Sequence, residues 1–303
     1  MATETKPNPI PQLDLLAPTG WQDYHLLDSG NGRKLEQYSD FILDRPEPEA
    51  MWQPALPERR WAAAHARFIP TPETNGGHWE KLQAMPERWQ MSYQNLRFWV
   101  SLSASRHVGV FPEQAAHWDW TTQKIQTANK PLRVLNLFGY TGLASLAAAA
   151  AGAQVTHLDA SRKVITWAHE NQQLSKLPET SIRWMVDDAL KFVQRESRRQ
   201  SLYDGIILDP PKFGRGPKGE VWEFYKLIPE LLDACRNALA AKPAFVVITA
   251  YAVKASALTL HHALKEALQR HSGSVQAGEL VLNEESGGRH LSTAVYARWS
   301  SGI

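Results

Sequence analysis

The chain has 303 residues, 43% of them hydrophobic, enough to bury a full core in one large domain or two. A formal net charge of +2 permits nucleic-acid binding without requiring it, so any basic surface must be local. No run nears the ~18 apolar residues of a membrane span, Met1 to Gln12 lacks a signal peptide's apolar stretch, and the lone Cys235 excludes both an intrachain disulfide and a cysteine zinc cluster. The expectation is a cytoplasmic protein in a reducing compartment, with no membrane association and no metal.

Residues 1–20, with prolines at 7, 9, 11 and 18, read as a flexible or polyproline-like leader. Residues 21–105 read as a small β-rich domain. Tyr24 to Leu27 is a strand-like run, Asp28-Ser29-Gly30-Asn31-Gly32 a turn with a hairpin signal, and Lys34 to Leu43 the next run. Further runs follow at Trp61 to Ile69, Trp79 to Leu82 and Trp89 to Ser101, with loops at Pro70-Thr71-Pro72 and Gly76-Gly77. Eight of the twelve tryptophans fall within the first 120 residues, and the bulk of large aromatics predicts an aromatic core here rather than a stacking surface.

From Pro131 the pattern changes. Val134 to Phe138 is an apolar run of strand length, Gly139-Tyr140-Thr141-Gly142 breaks it, and the Ala-rich stretch from Leu143 predicts a helix closed by Gly152. Gln154 to Leu158 is a second strand ending at Asp159, which completes a βαβ unit with an acid twenty positions after the first glycine. That spacing outlines a nucleotide site in which the carboxylate accepts bonds from ribose hydroxyls. The turn lacks the three spaced glycines that a dinucleotide pyrophosphate needs. A nucleoside ligand without phosphates needs only the open turn and the acid, which is the requirement of S-adenosylmethionine. Two more strands end on acids, Trp184 to Val186 before Asp187-Asp188-Ala189 and Tyr203 to Leu208 before Asp209-Pro210-Pro211-Lys212-Phe213. Ligands of open α/β sheets bind outside the carboxyl ends of strands, so Asp159, Asp188 and Asp209 should line one crevice. Asp187 is assigned to solvent or to capping.

These residues resemble the class I, Rossmann-like S-adenosylmethionine-dependent methyltransferases, and within them the bacterial 23S rRNA enzymes with a D-P-P-K-F loop. The matching pieces are Asn136 to Gly142, Leu158-Asp159-Ala160-Ser161, Val186-Asp187-Asp188 and Leu208 to Phe213. Gly109-Val110-Phe111-Pro112-Glu113-Gln114 is similar to the segment that walls the cofactor in that family. The resemblance implies an α/β fold with a seven-stranded methyltransferase sheet over residues 106–303, and S-adenosylmethionine as cofactor. It implies cofactor contacts from Phe111, Gln114, Asn136, Phe138, Gly139, Tyr140, Thr141, Gly142, Asp159, Ala160, Asp188, Ala189 and Asp209, with Asp159 on the ribose, Asp188 on the adenine amine and the 138–142 turn on the methionine end. Asp209, Pro210, Pro211 and Phe213 would act on the target base.

The loop chemistry supports that role. Two prolines fix φ near −65° and aim the Asp209 carboxyl and neighbouring carbonyls at one point, where they can accept hydrogens from an amine and direct its lone pair. Phe213 is placed to stack on a base, and Lys212, Arg215 and Lys218 to meet RNA phosphates. Members that make 5-methylcytosine carry a nucleophilic Cys after the fifth strand, whereas this chain has Ile248-Thr249-Ala250-Tyr251 there, which favours a nitrogen target. Cys235, on an apolar helix face, is expected in the core. A methyltransferase acting on a protein or small molecule, and an RNA-binding assembly factor with a vestigial pocket, stand as alternatives to a ribosomal RNA enzyme.

Overall fold

The computed structural model describes residues 10–71 and 76–302; part of the expected leader and of the loop after Pro70 lies outside them. Within the leader, Leu13–Leu16 (β1) is a strand rather than flexible chain, parallel to a strand near the C-terminus from Leu13↔Ala277 to Leu16↔Leu280. Ladder partners satisfy one edge of its backbone, a long-range pairing that the local proline content gave no sign of.

β2 (Tyr24–Gly30), β3 (Arg33–Tyr38), β4 (Phe41–Pro46), the short α1 (Glu58–Trp61), β5 (Ala66–Pro70) and β6 (Gly77–Lys81) follow. Their strands form a five-stranded sheet in chain order, and β7 (Arg88–Tyr93) with β8 (Leu96–Ser101) forms a separate hairpin. Lys34 to Leu43 and Trp89 to Ser101, each expected as one strand, are hairpins turning at Ser39-Asp40 and Gln94-Asn95. Ser39 and Gln94 take φ of 56° and 51°, a left-handed conformation that glycine usually supplies, so no glycine marked either turn. Trp61, Trp89 and Trp118 are buried and Trp21, Trp52, Trp79, Trp99 and Trp120 half-buried, an aromatic core as expected.

After a 3₁₀ turn at Pro112–Gln114 come α2 (Ala115–Gln126), β9 (Arg133–Leu137), α3 (Leu143–Ala150), β10 (Gln154–Asp159), α4 (Arg162–Leu174), β11 (Ile182–Val186), α5 (Ala189–Arg198) and β12 (Gly205–Leu208). A hairpin of β13 (Phe213–Arg215) and β14 (Val221–Glu223) precedes α6 (Phe224–Asn237). β15 (Phe245–Ala250), α7 (Ala257–Ala267), β16 (Gly273–Asn283) and β17 (His290–Ser301) close the chain.

The large sheet runs β11-β10-β9-β12-β15-β17-β16, the seven strands expected, with β1 added as an eighth at the edge. β9 to β12 and β15 are parallel, and β17 is antiparallel to both its neighbours. β12 and β15 are buried at every position, as strands covered on both faces must be. One face packs on α2 and α3 through Trp118, Ile125, Leu143 and Leu146, in a core continuous with Tyr38, Trp89 and Phe98 of the smaller sheets. The other packs on α5, α6 and α7 through Phe192, Leu231 and Leu264. Strand order reverses between β9 and β12, and that reversal opens the crevice for the site.

Candidate active site

The register aligns the strand ends. Leu137 of β9 pairs with Leu158 of β10 and Leu208 of β12, and Asp159 with Val186, so the chain leaves the sheet at Phe138, Asp159, Asp187 and Asp209 on one edge. Phe138, Tyr140 and Gly142 have φ of 58°, 50° and 89°. Left-handed backbone at a Phe and a Tyr costs on the order of 1 kcal/mol each, a strain that persists only where the surroundings enforce it. Gly139 is enforced from below, because a Cβ there would lie 2.3 Å from the His157 ring. Asn136 Nδ2 donates to Ser145 Oγ at 2.9 Å, and Ser145 Oγ meets His157 Nδ1 at 2.9 Å, a buried network under the turn.

Two backbone amides pin Asp159: Tyr140 N–H donates at 3.1 Å and Ser161 N–H at 2.9 Å. Burial nevertheless raises its pKa, outweighing those bonds. A carboxylate has about four acceptor positions, so the pinned group keeps capacity for two neighbouring hydroxyls. Ala160 beside it is half-buried. Asp188 is the N-cap of α5 and accepts the Lys191 amide at 2.9 Å, while Ala189 is buried beneath it. The capping foreseen for Asp187 therefore belongs chiefly to Asp188; Asp187 pairs with Arg195 at 2.6 Å. Thr141 turns inward, its hydroxyl donating to the Gly109 carbonyl at 2.6 Å.

Gly109, Phe111, Gln114, Asn136, Phe138, Gly139, Tyr140, Thr141 and Asp209 line one pocket of about 50 Å³. That volume takes only the small end of a ligand of nucleoside size. Gln114 Nε2 donates to Asp209 Oδ2 at 3.2 Å. Burial, with the charge of Glu113 second, pushes the Asp209 pKa up to about 8. Glu113 and Tyr251 are the residues sequence reasoning left without a role. Glu113 is buried with its pKa raised, and the Tyr251 hydroxyl is buried with the Tyr251 ring 5.1 Å from that of Phe111. Both sat in quoted motifs; burial, invisible in the sequence, gives them their place.

Pro210 is buried and Pro211 exposed, and the Pro211 carbonyl accepts Trp222 Nε1–H at 2.6 Å, which fixes the β13–β14 hairpin to the loop. Trp222 packs on Phe138 with ring centroids 5.0 Å apart. Phe213 is 56% exposed, and the exposed side chains of Lys212, Arg215 and Lys218 form no ion pair among the described residues. Cys235 is buried in α6 and its thiol pKa is pushed far up by burial, so it sits apart from this chemistry.

A doubly wound sheet with a pinned carboxylate after its second parallel strand and a rigid acidic loop after its fourth defines a nucleoside-binding α/β enzyme. The S-adenosylmethionine-dependent methyltransferase family model matches residues 57–269, and the chain belongs to that family. It is 46% identical to a SAM-dependent methyltransferase from Agrobacterium tumefaciens, covering 98% of this chain and 97% of that one with a TM-score of 0.91. A methyltransferase structure complexed with SAH shares the fold at 18% identity and a TM-score of 0.70, over 93% of this chain and 76% of that one. The ribosomal RNA large subunit methyltransferase K/L of Hahella chejuensis is 35% identical over 166 residues, 54% of this chain and 22% of that protein. The chain thus spans about a fifth of the length of the curated relatives it matches.

Proposed function

We propose that the protein transfers the methyl group of S-adenosylmethionine to a base nitrogen of RNA, ribosomal RNA first, without a covalent cysteine intermediate. The observation that carries this reading is the hairpin immediately after Asp209-Pro210-Pro211. An exposed aromatic, Phe213, stands near three cations that have no ion-pair partner among the described residues, directly beside the loop that must hold the nucleophile. A base needs a π surface and its flanking phosphates need cations, while a small-molecule pocket needs neither at its rim.

The residues fit the cofactor. Asp159 would hold the ribose, the 138–142 turn and the first-turn amides of α3 the methionine end, and Asp188 Oδ2 the adenine amine, since its Oδ1 caps α5. The cofactor supplies an electrophilic methyl carbon on a sulfonium, and the chain contributes alignment. Asp209, oriented by Gln114, accepts a hydrogen from the nucleophilic nitrogen and directs its lone pair; the ionised carboxylate does this best. The five-stranded sheet and the β7–β8 hairpin form the RNA-facing module, with its boundary near residue 105. A cytoplasmic location accompanies this substrate; among the described residues no helix is long and apolar enough to cross a membrane. Mass spectrometry of rRNA nucleosides from a deletion strain, followed by methylation of the unmodified rRNA by the purified chain, tests the proposal. A full complement of methylated nucleosides in the deletion strain, or better kcat/KM on a protein or small molecule, overturns it.

A further inference from the structure

A second cleft lies away from the candidate active site. A cleft of about 350 Å³ opens on the five-stranded sheet between Gly32 and Arg33 of the β2–β3 hairpin, Asp44 and Pro46 of β4, and Arg67 to Pro70 of β5. Its floor is charged. Asp44, only 1% exposed, accepts a two-point fork from Arg33 Nε (2.9 Å) and Nη2, and also Arg67 Nε at 2.6 Å.

A buried carboxylate needs one cation to compensate it, and here two guanidinium groups converge on it. Arg33 Nη1 and both terminal nitrogens of Arg67 have no hydrogen-bond partner among the described residues, and both side chains are 32% exposed. Among the described residues the other acids nearby are Glu58, which faces Arg33, Glu80, opposite Arg67 across the β5–β6 ladder, and Glu47, which pairs with Lys34; none of them forms an ion pair with these arginines. Arg33 is further fixed over the Trp61 ring, 4.7 Å from its centroid. Such a site holds planar donors with surplus positive charge in a cleft lined also by Phe68 and Ile69. That donor geometry matches the oxygen edge of a phosphate rather than a point charge.

We infer that the free edges of Arg33 and Arg67 in this cleft form a second, non-catalytic binding site for a phosphate group. The cleft is joined to the cofactor wall: the Pro46 carbonyl accepts Arg106 Nη1 at 3.5 Å, and the Arg106 carbonyl accepts Arg45 Nη1 at 3.0 Å, just ahead of the 109–114 segment. On the RNA reading, which this extension rests on only for its source, the occupant is a backbone phosphodiester of the substrate; a free phosphate compound is the other source of the same chemistry.

The test titrates the full chain with inorganic phosphate by calorimetry at constant ionic strength, and with an rRNA fragment across a salt series, for wild type and Arg67→Gln. The variant keeps the Arg33–Asp44 fork, so the buried acid stays compensated, and an unchanged Tm and S-adenosylmethionine affinity verify its fold. The expected result is phosphate binding by wild type that weakens at least about tenfold in the variant, with the RNA log-log salt slope falling by about 0.7 for one lost contact. Phosphate binding lost in the variant with RNA binding unaltered keeps the site and assigns it to a free phosphate compound. A slope change without measurable inorganic phosphate binding keeps the site and assigns it to RNA. No phosphate binding together with an unaltered RNA slope overturns the inference and leaves the arginines as counterions of Asp44. The phosphate titration decides the matter even if the chain binds no RNA.

Discussion

Gln114 and Asp209, 95 positions apart in sequence, meet in a hydrogen bond of 3.2 Å that ties the segment before the first core strand to the loop after the fourth. The bond sets which Asp209 oxygen remains free to face a nucleophile. Replacing Asp209 by Ala is expected to lower kcat by two orders of magnitude or more while S-adenosylmethionine affinity changes less than about threefold, since the loop acts on alignment in the transition state. Single-turnover kinetics and calorimetry on the same preparation separate the two, and an equal loss in both would place Asp209 in cofactor binding alone.

The pH dependence has a definite sign. Asp209, raised to about 8, binds its proton more tightly in the folded than in the unfolded chain. Its contribution to stability is therefore full below ~4 and is lost as pH rises through about 8. On the proposed mechanism activity runs the other way, because the ionised acceptor is the competent form. kcat/KM should rise with an apparent pKa near 8, and Glu113→Gln should move that midpoint to lower pH by removing a like charge. A flat profile between pH 6.5 and 9 would refute the assignment.

Asp159→Ala should weaken S-adenosylmethionine by roughly 1.5 to 3 kcal/mol, the scale for losing charged hydrogen bonds to hydroxyls. The measurement is isothermal calorimetry, and unchanged affinity would remove the ribose from this carboxylate.

Cys235→Ser should keep turnover within about twofold and cost on the order of 1 kcal/mol of stability, because it places a hydroxyl in an apolar helix face. Loss of turnover in a folded variant would overturn the non-covalent mechanism.

Neutralising Lys212, Arg215 and Lys218 together should flatten the log-log salt dependence of RNA binding by about 2. Phe213→Ala should cost a further 1 to 3 kcal/mol of RNA affinity, roughly the worth of one stacked base. Binding titrations across a salt series report both.

The parallel core was legible because buried strands are written as short apolar runs, and Asp159 and Asp209 because each stands directly after one. The hairpin turns at Ser39 and Gln94 were not, since neither position carries the glycine that usually marks a left-handed residue. β1 was unreadable for a different reason: its partner lies some 260 residues away, and no local pattern encodes such a pairing. Asp188 shows the same limit in the site. Its position at a strand end was plain, yet its work as the α5 cap depended on the turn geometry.

Asn171 of α4 is fully buried and speaks to both halves of the molecule: its Oδ1 accepts the Trp99 amide of β8 at 2.9 Å, and its Nδ2 donates to the Thr141 carbonyl at 3.0 Å. One side chain thus clamps the β7–β8 hairpin to the strained turn beside the cofactor pocket. The hairpin is also tied to α4 by Trp167 Nε1–H donating to the Trp99 carbonyl at 3.1 Å and by the Ser175 hydroxyl donating to the Arg97 carbonyl at 2.7 Å, so a shift of either segment has several routes to the other. Thermodynamic reciprocity then requires that if the proposed RNA, bound on the hairpin side, tightens the cofactor, the cofactor tightens RNA by the same factor.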